Sequence, residues 1–409
     1  MNSTMNESIN SEREQREQRE QTNNYNSSEH SQQNIHDENT ENKISFKIEN
    51  PVDTEPNTVN RIDIKRPCFM SHSDWIEVDG KKLKPGLYYH YYDKEYNESN
   101  PINEWICSPL EILAITSSSK GDDFGRLLRF LDSNGKWHEW AMPMYMLKSN
   151  GDELFGELLN QGLIFDHKHR KKIITYIMSI KPKSRITAAS TIGWHGSSFV
   201  LPDQVIGSDN VVFQSEIAGE SEFTISGTLH EWQQQIGKYC EGNISLMVSI
   251  STSIAGPLLK LVNRPQGGAI HWVGDSSTGK STTAKISATI WGSSEFIRSW
   301  STTANGFEGI AAARNDTCII LEEINEASHF DVGKIVYMLG NGQGKQRAGR
   351  IGNARKIQRW RLMAISSGEK TLENIMKEAG KQINAGQAVR LLNIPATFEY
   401  GVFVDAFLN

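Results

Sequence analysis

Residues 274–281 read Gly274-Asp275-Ser276-Ser277-Thr278-Gly279-Lys280-Ser281, a complete G-x-x-x-x-G-K-[ST] pattern. The apolar run Ala269-Ile270-His271-Trp272-Val273 leads in as a buried strand would, and Thr282-Thr283-Ala284-Lys285-Ile286-Ser287-Ala288 leads out as a helix. Strand, glycine-rich turn and helix in that order make a phosphate-binding loop. The glycines let the backbone bend so that successive N–H groups point at an anion, and the helix N-terminus adds its positive dipole end. Lys280 is expected on the β- and γ-phosphates, and the Ser281 hydroxyl on Mg²⁺. Gly274, Asp275, Ser276, Ser277, Thr278, Gly279, Lys280, Ser281 and Thr282 are the expected contacts of a bound ATP.

Downstream, Thr317-Cys318-Ile319-Ile320-Leu321-Glu322-Glu323 sets four apolar positions before two carboxylates. A buried strand would deliver these acids beside the metal and the attacking water. Glu322, in the place usually held by Asp, is expected to hold Mg²⁺ through its water shell, and Glu323 to polarise the nucleophilic water. A third strand, Arg361-Leu362-Met363-Ala364-Ile365-Ser366-Ser367, ends in hydroxyls. Ser366 or Ser367 is expected to sense the γ-phosphate. Around these motifs short apolar strands alternate with helical stretches, the pattern of a parallel α/β sheet.

Between the second and third motifs lies the most uneven charge in the chain. Lys334, Lys345, Arg347, Arg350, Arg355, Lys356, Arg359 and Arg361 are all basic, and no Asp or Glu falls between Asp331 and Glu369. The core of this stretch, Gly340-Asn341-Gly342-Gln343-Gly344-Lys345-Gln346-Arg347-Ala348-Gly349-Arg350, is glycine-rich. Two functions fit it. Its basic side chains can contact nucleic-acid phosphates and release counterions. Alternatively, Arg347 or Arg350 can act as an arginine finger in the ATP site of a neighbouring subunit.

The first 60 residues differ from the rest. They are dominated by Asn, Ser, Glu and Gln, carry a charge of −7, and offer too few apolar groups to offset the entropy of ordering, so a disordered polar tail is expected. The whole chain is at −6, which leaves the remainder at +1 by difference and open to an anionic partner. Cys68, Cys107, Cys240 and Cys318 are far apart and lack C-x-x-C spacing, so neither zinc nor a disulfide framework is expected. The N-terminus has no signal-peptide pattern. Residues 244–262 are apolar, but they include five Ser or Thr, Pro257 and Lys260, which fits a buried core helix better than a membrane span. The expectation is a soluble, cytoplasmic protein.

From Cys68 to Gly207 the pattern is one of short strands and turns. Residues 86–92, 105–107, 125–130 and 137–141 are strand-like, and Asp132-Ser133-Asn134-Gly135 suggests a hairpin between the last two. Helical segments follow at Leu154, Phe155, Leu158 and Leu159 and at Ile173, Ile174 and Ile177. Gly193-Trp194-His195-Gly196 and Phe199-Val200-Leu201-Pro202 suggest another hairpin, with His195 a packed turn histidine. Farther on, Leu229, Trp232, Ile236 and Tyr239 fall on one helical face.

Several stretches, taken together and in order, resemble the domain of unknown function 927 family. They are residues 272–281, 299–309, 341–348 and 367–369, with Trp105-Ile106-Cys107-Ser108-Pro109 and residues 193–196 upstream. The resemblance covers roughly Cys68 to the C-terminus. It implies a P-loop ATPase of AAA+/helicase type, carried on phages, plasmids and genomic islands and acting in DNA replication. Glu322 stands where that family usually has Asp. The chain also stops soon after residues 390–396 where such proteins run on, which implies truncation of the C-terminal helices that close over nucleotide. The expected organisation is a tail over 1–66, a smaller α+β domain over 67–225 and an α/β P-loop NTPase domain over 226–409. The expected activity is that of an ATP-hydrolysing helicase or translocase, assembled as a homo-oligomeric ring on single-stranded DNA and acting off the membrane. A nucleotide-gated DNA-binding module with little turnover is the alternative, and a small-molecule kinase a lesser one.

Overall fold

The computed structural model describes residues 60–93, 100–217, 221–346, 357–382 and 385–404. The tail expected over 1–66 lies outside them up to residue 59. Strands β1 (Asn60–Arg61), β2 (Cys68–His72), β3 (Ile76–Val78), β4 (Lys81–Leu83), β5 (Gly86–Asp93) and β6 (Asn100–Cys107) form two three-stranded sheets, ordered β1-β3-β4 and β2-β5-β6. Then come β7 (Leu110–Ser117), β8 (Gly125–Leu131), β9 (Trp137–Pro143), α1 (Asp152–Asn160) and α2 (Arg170–Ser179). The first half ends with β10 (Arg185–Ala189), β11 (Gly193–His195), β12 (Ser198–Val200), β13 (Val205–Ile206) and β14 (Val211–Phe213).

Along β7 buried and half-buried positions alternate, the two-residue period of a strand with one face on a core. The sheet runs β14-β10-β7-β8-β9. Leu154, Phe155 and Leu158 of α1 and Ile173, Tyr176 and Ile177 of α2 pack with its Leu128, Phe130 and Trp140. The β8–β9 hairpin forms as its turn sequence predicts. Leu131 pairs with Trp137, and the Asp132 carboxylate accepts the Asn134 and Lys136 N–H groups, each at 2.8 Å. The β11–β12 hairpin also forms. Its His195 Nε2 donates to the Thr191 carbonyl at 2.7 Å, as suits a turn histidine.

The second half contains α3 (Leu229–Gln235), α4 (Ile244–Leu261), β15 (Ala269–Val273), α5 (Lys280–Ala288), β16 (Ile297–Ser299) and α6 (Ala304–Ala312). It continues through β17 (Cys318–Glu322), α7 (Val332–Asn341), β18 (Met363–Gly368), α8 (Leu372–Glu378), α9 (Ala385–Ala388) and β19 (Leu391–Pro395). The five strands are parallel, in the order β16-β17-β18-β15-β19. β18 is thus inserted between the strand leading into the glycine-rich loop and the strand carrying the acids. Helices cover the sheet, and its acid-bearing strand is accordingly apolar: Cys318, Ile319, Ile320 and Leu321 are all buried.

One helical expectation needs correction. The single face through Leu229, Trp232, Ile236 and Tyr239 is broken. The α-helix ends at Gln235, Ile236 leaves helical geometry (φ −123°, ψ −55°), and a 3-10 turn follows over Gly237–Cys240. α4 is a core helix, and the face it turns inward mixes small polar residues with Leu246 and Ile250. Ser245, Ser249, Thr252, Ser253 and Gly256 are buried, whereas Met247, Ile254, Leu258 and Leu261 are exposed. Close approach is the cause: a Cβ at Gly256 would come within 2.0 Å of the Thr317 carbonyl oxygen. Trp272 Nε1 donates to Ser249 Oγ at 2.9 Å, and Ser253 Oγ to the Ser287 carbonyl at 2.9 Å. Pro257 cannot donate to the carbonyl of Ser253, so Trp291 Nε1 does so instead at 3.1 Å.

A buried turn joins the two halves. Asp316, 1 % exposed, accepts the Trp194 N–H at 3.0 Å and pairs with Arg361 at 2.6 Å. Asn315 Nδ2 donates to the Ile192 carbonyl, and Trp194 Nε1 to the Pro257 carbonyl, both at 2.9 Å. Replacing Asp316 with Ala would leave Arg361 and the Trp194 N–H without their partner. Asp316→Ala is predicted to lower the unfolding free energy by roughly 2–4 kcal/mol, measured by urea denaturation followed by far-UV circular dichroism.

Candidate functional site: the nucleotide end of the sheet

Parallel strands deliver their C-terminal ends to one edge, and the candidate residues collect there. β15 ends at Val273, and the glycine-rich loop turns from it into α5. Gly274 N–H donates to the Gly368 carbonyl at 3.2 Å, which ties the loop to the end of β18. Ser277 (φ 64°) and Gly279 (φ 83°) are both left-handed, as a loop that must coil on itself requires. Lys280 is 8 % exposed. Its ammonium donates to the Gly274 carbonyl at 2.8 Å, the Asp275 carbonyl at 2.5 Å and Thr278 Oγ1 at 3.2 Å, so it lies inside the loop it would serve. Ser281, exposed in the first turn of α5, stands at the positive end of that helix.

β17 ends at Glu322, and Glu323 follows in the left-handed region at φ 60°. Such a backbone is uncommon for a glutamate and is typical of functional sites. Glu322 Oε1, Glu323 Oε1 and Asn325 Oδ1 are buried acceptors with no hydrogen-bond partner. Burial raises the pKa of Glu323 above the usual carboxylate range. The charge of Glu369 raises it further, and Lys280 opposes the shift. Glu369, which the sequence placed in a stretch of family resemblance but to which it assigned no role, therefore belongs to this electrostatic group.

Ser366 sits in a buried hydrogen-bond network. His271, fully buried, has its pKa pushed down to about 4 by burial and is neutral. Its Nε2–H donates to the Lys370 carbonyl at 3.0 Å, so its Nδ1 accepts from Ser366 Oγ at 2.8 Å. Ser366 Oγ in turn accepts from Trp300 Nε1 at 2.9 Å. In this structure the one donor of the hydroxyl is engaged by the neighbouring strand. Ser366 braces the sheet. Arg347 and Arg350 lie outside the described residues.

Sequence reasoning also missed residues 396–403, which pack on the glycine-rich loop. Ala396 N–H donates to the Val273 carbonyl at 2.7 Å and Val402 N–H to the Thr278 carbonyl at 2.9 Å. A Cβ at Gly279 would lie 2.5 Å from the Phe403 ring. These contacts bridge more than a hundred residues and leave no periodic signal. Trp300 did stand in a stretch noted for its resemblance, but a lone tryptophan does not reveal its partner.

The loop, the inserted β18 and the paired acids define a P-loop NTPase fold of AAA+/helicase type. A family model described as Domain of unknown function (DUF927) matches residues 77–359, and the chain belongs to that family. No curated protein matches it. The solved structure titled "SCCmec type IV Cch - active helicase" is similar with a TM-score of 0.54 and 17 % identity, over 76 % of this chain and 57 % of that one. The chain therefore spans little more than half the length of that structure. The Hsp104–ADP complex of S. cerevisiae overlaps with a TM-score of 0.28 and 12 % identity, over 43 % of this chain and 38 % of that one. NtrX of Brucella abortus with ADP overlaps with a TM-score of 0.25 and 15 % identity, over 42 % and 37 %.

If Ser366 is a brace, Ser366→Ala leaves Trp300 Nε1 and His271 Nδ1 unpaired in the core. The nucleotide-free protein is then predicted to lose roughly 2–4 kcal/mol of stability in urea denaturation. A phosphate contact would instead leave that stability unchanged and weaken nucleotide binding.

Proposed function

We propose that this chain binds and hydrolyses ATP and uses it to act on nucleic acid, as a helicase or translocase in mobile-element replication. The observation that carries this reading is the placing of Lys280, Ser281, Glu322 and Glu323 at one edge of one sheet. Lys280 would bind the phosphates. The available donors are oxygens, and buried acceptors among them are unpartnered, which suits a hard divalent cation such as Mg²⁺. Ser281 and Glu322 would hold that ion, which when bound neutralises charge on the phosphate oxygens. Glu323 would orient the attacking water and take its proton, and a raised pKa makes it a better base.

The opposite edge supports the second part of the reading. A groove of about 580 Å³ opens at the N-terminal ends of β15, β17 and β18, lined by Pro265, Gln266, Asn315, Gln343, Arg359 and Arg361 among others. Lys345 and Arg359 are exposed at the two feet of the basic glycine-rich stretch, where Gln343 and Arg359 form a β-bridge. A backbone of phosphates, most simply single-stranded DNA, fits such a surface. In this reading Arg347 or Arg350 contacts that strand or the ATP of a neighbour in a ring. Glu322 in the position of the usual Asp favours a second reading, a nucleotide-gated DNA-binding module with little turnover.

ATP hydrolysis by the purified chain is predicted to rise on adding single-stranded DNA, to vanish in Lys280→Ala, and to fall at least a hundredfold in Glu323→Gln. ATP binding that persists with no turnover in wild type would decide for the gated module. Glu323 is the base only when deprotonated, so its raised pKa places the acid limb of the pH–rate profile above that of an ordinary glutamate. Glu369→Gln removes a like charge and should move that limb to lower pH.

A further inference from the structure

The stretch 299–309 has no chemistry of its own, yet it connects the two edges of the sheet. At the nucleotide edge, Trp300 N–H donates to the Glu322 carbonyl at 3.0 Å, and Trp300 Nε1 to Ser366 Oγ at 2.9 Å. Ser299 Oγ donates to Glu326 at 2.7 Å, and Thr302 N–H to the Trp300 carbonyl at 2.7 Å. Thr303 then caps α6 by accepting the Gly306 N–H at 3.1 Å. One turn into α6, Phe307 is fully buried and meets Trp360 edge-on, with ring centroids 6.2 Å apart. Glu308 beside it is 3 % exposed. Its Oε1 accepts the Lys345 N–H at 3.2 Å, and its Oε2 lies against Gly344.

A buried carboxylate is costly unless hydrogen bonds compensate it. Part of the compensation comes from the main chain of the glycine-rich stretch, through the Lys345 N–H, at the point where its basic residues begin. We infer that Glu308 is a positioning residue: it ties the root of the basic loop, at Gly344 and Lys345, to the acid-bearing edge through α6, so that the nucleotide state sets the placement of the loop. The inference rests on the proposed function for what the loop contacts, but not for the link itself. A shift at Glu322 or the end of β18 moves Trp300. Trp300 leads directly into the cap of α6, a rigid helix roughly 13 Å long. Phe307 and Glu308 carry the shift to Trp360 and Lys345. The chain of contacts is continuous, and each link is a packed ring, a capped helix or a hydrogen bond at least partly shielded from water.

Hydrogen exchange at the Lys345 amide reads the link directly, in the full chain and with or without DNA. In wild type, exchange over residues 342–346 is expected to differ by about fivefold or more between ADP and a non-hydrolysable ATP analogue, each with Mg²⁺. In Glu308→Ala it should be fast and equal in both. Glu308→Gln keeps one acceptor oxygen and should restore part of the difference. Basal hydrolysis without DNA should stay within about twofold of wild type in both variants, while its stimulation by single-stranded DNA is lost in Glu308→Ala. Two results would overturn the inference: nucleotide-independent exchange in wild type, or nucleotide dependence that survives in Glu308→Ala. Basal hydrolysis falling in parallel with stimulation would also overturn it, since Glu308 would then serve only the fold. Nucleotide-dependent exchange without any response to DNA would uphold the link and sink the nucleic-acid reading alone.

Discussion

One hydroxyl organises the nucleotide edge. Ser366 receives a hydrogen bond from Trp300 and gives one to His271, and both partners are buried. β15, β18 and the end of β16 are thereby pinned to one another at the level where the glycine-rich loop and the acids emerge. The arrangement works in one protonation state. His271 must be neutral, with its proton on Nε2 facing the Lys370 carbonyl, and its burial ensures this. A loop that binds phosphate through backbone N–H groups needs such a support, because small displacements of those groups weaken every bond to the anion at once.

Much of the fold was legible because its signals are local. The glycine-rich loop, the apolar strand before it and the helix after it lie within twenty residues. The β8–β9 hairpin was visible in Asp132-Ser133-Asn134-Gly135, where one carboxylate closes the turn. The paired acids at Glu322 and Glu323 stood at the end of a run too apolar to be anything but a buried strand. Long-range packing was not legible. α4 reads as an apolar core helix, yet Ser245, Ser249 and Ser253 face inward beside Leu246 and Ile250, where Gly256 lies against Thr317 and Trp272 finds an acceptor at Ser249. Hydropathy reports how a side chain behaves in water, not which side of a helix must make room. The surroundings of Ser366 were illegible for a related reason: a serine ending a strand suits a phosphate contact, a turn or a brace, and its partners lie 66 and 95 residues away.

The same topology separates two kinds of surface. The C-terminal ends of the strands carry the loop lysine and unpartnered carboxylate oxygens, while the N-terminal ends carry Arg359, Arg361 and the feet of the basic stretch. Asp316 holds Arg361 and the Trp194 hairpin at that second edge, so the first half of the chain is anchored where the basic groove opens. Trp300 meets the acid-bearing end at the Glu322 carbonyl, and α6, which follows it, meets the root of the basic stretch through Glu308.

The central claim is that these two edges are energetically linked. Linkage is reciprocal: whatever factor the nucleotide applies to DNA affinity, DNA must apply to nucleotide affinity. The direct measurement is single-stranded DNA affinity with Mg²⁺ and a non-hydrolysable ATP analogue against ADP, together with the affinity of each nucleotide with and without DNA. The account predicts a ratio of about five or more, identical in the two directions. DNA and nucleotide each binding with an affinity indifferent to the other would contradict it.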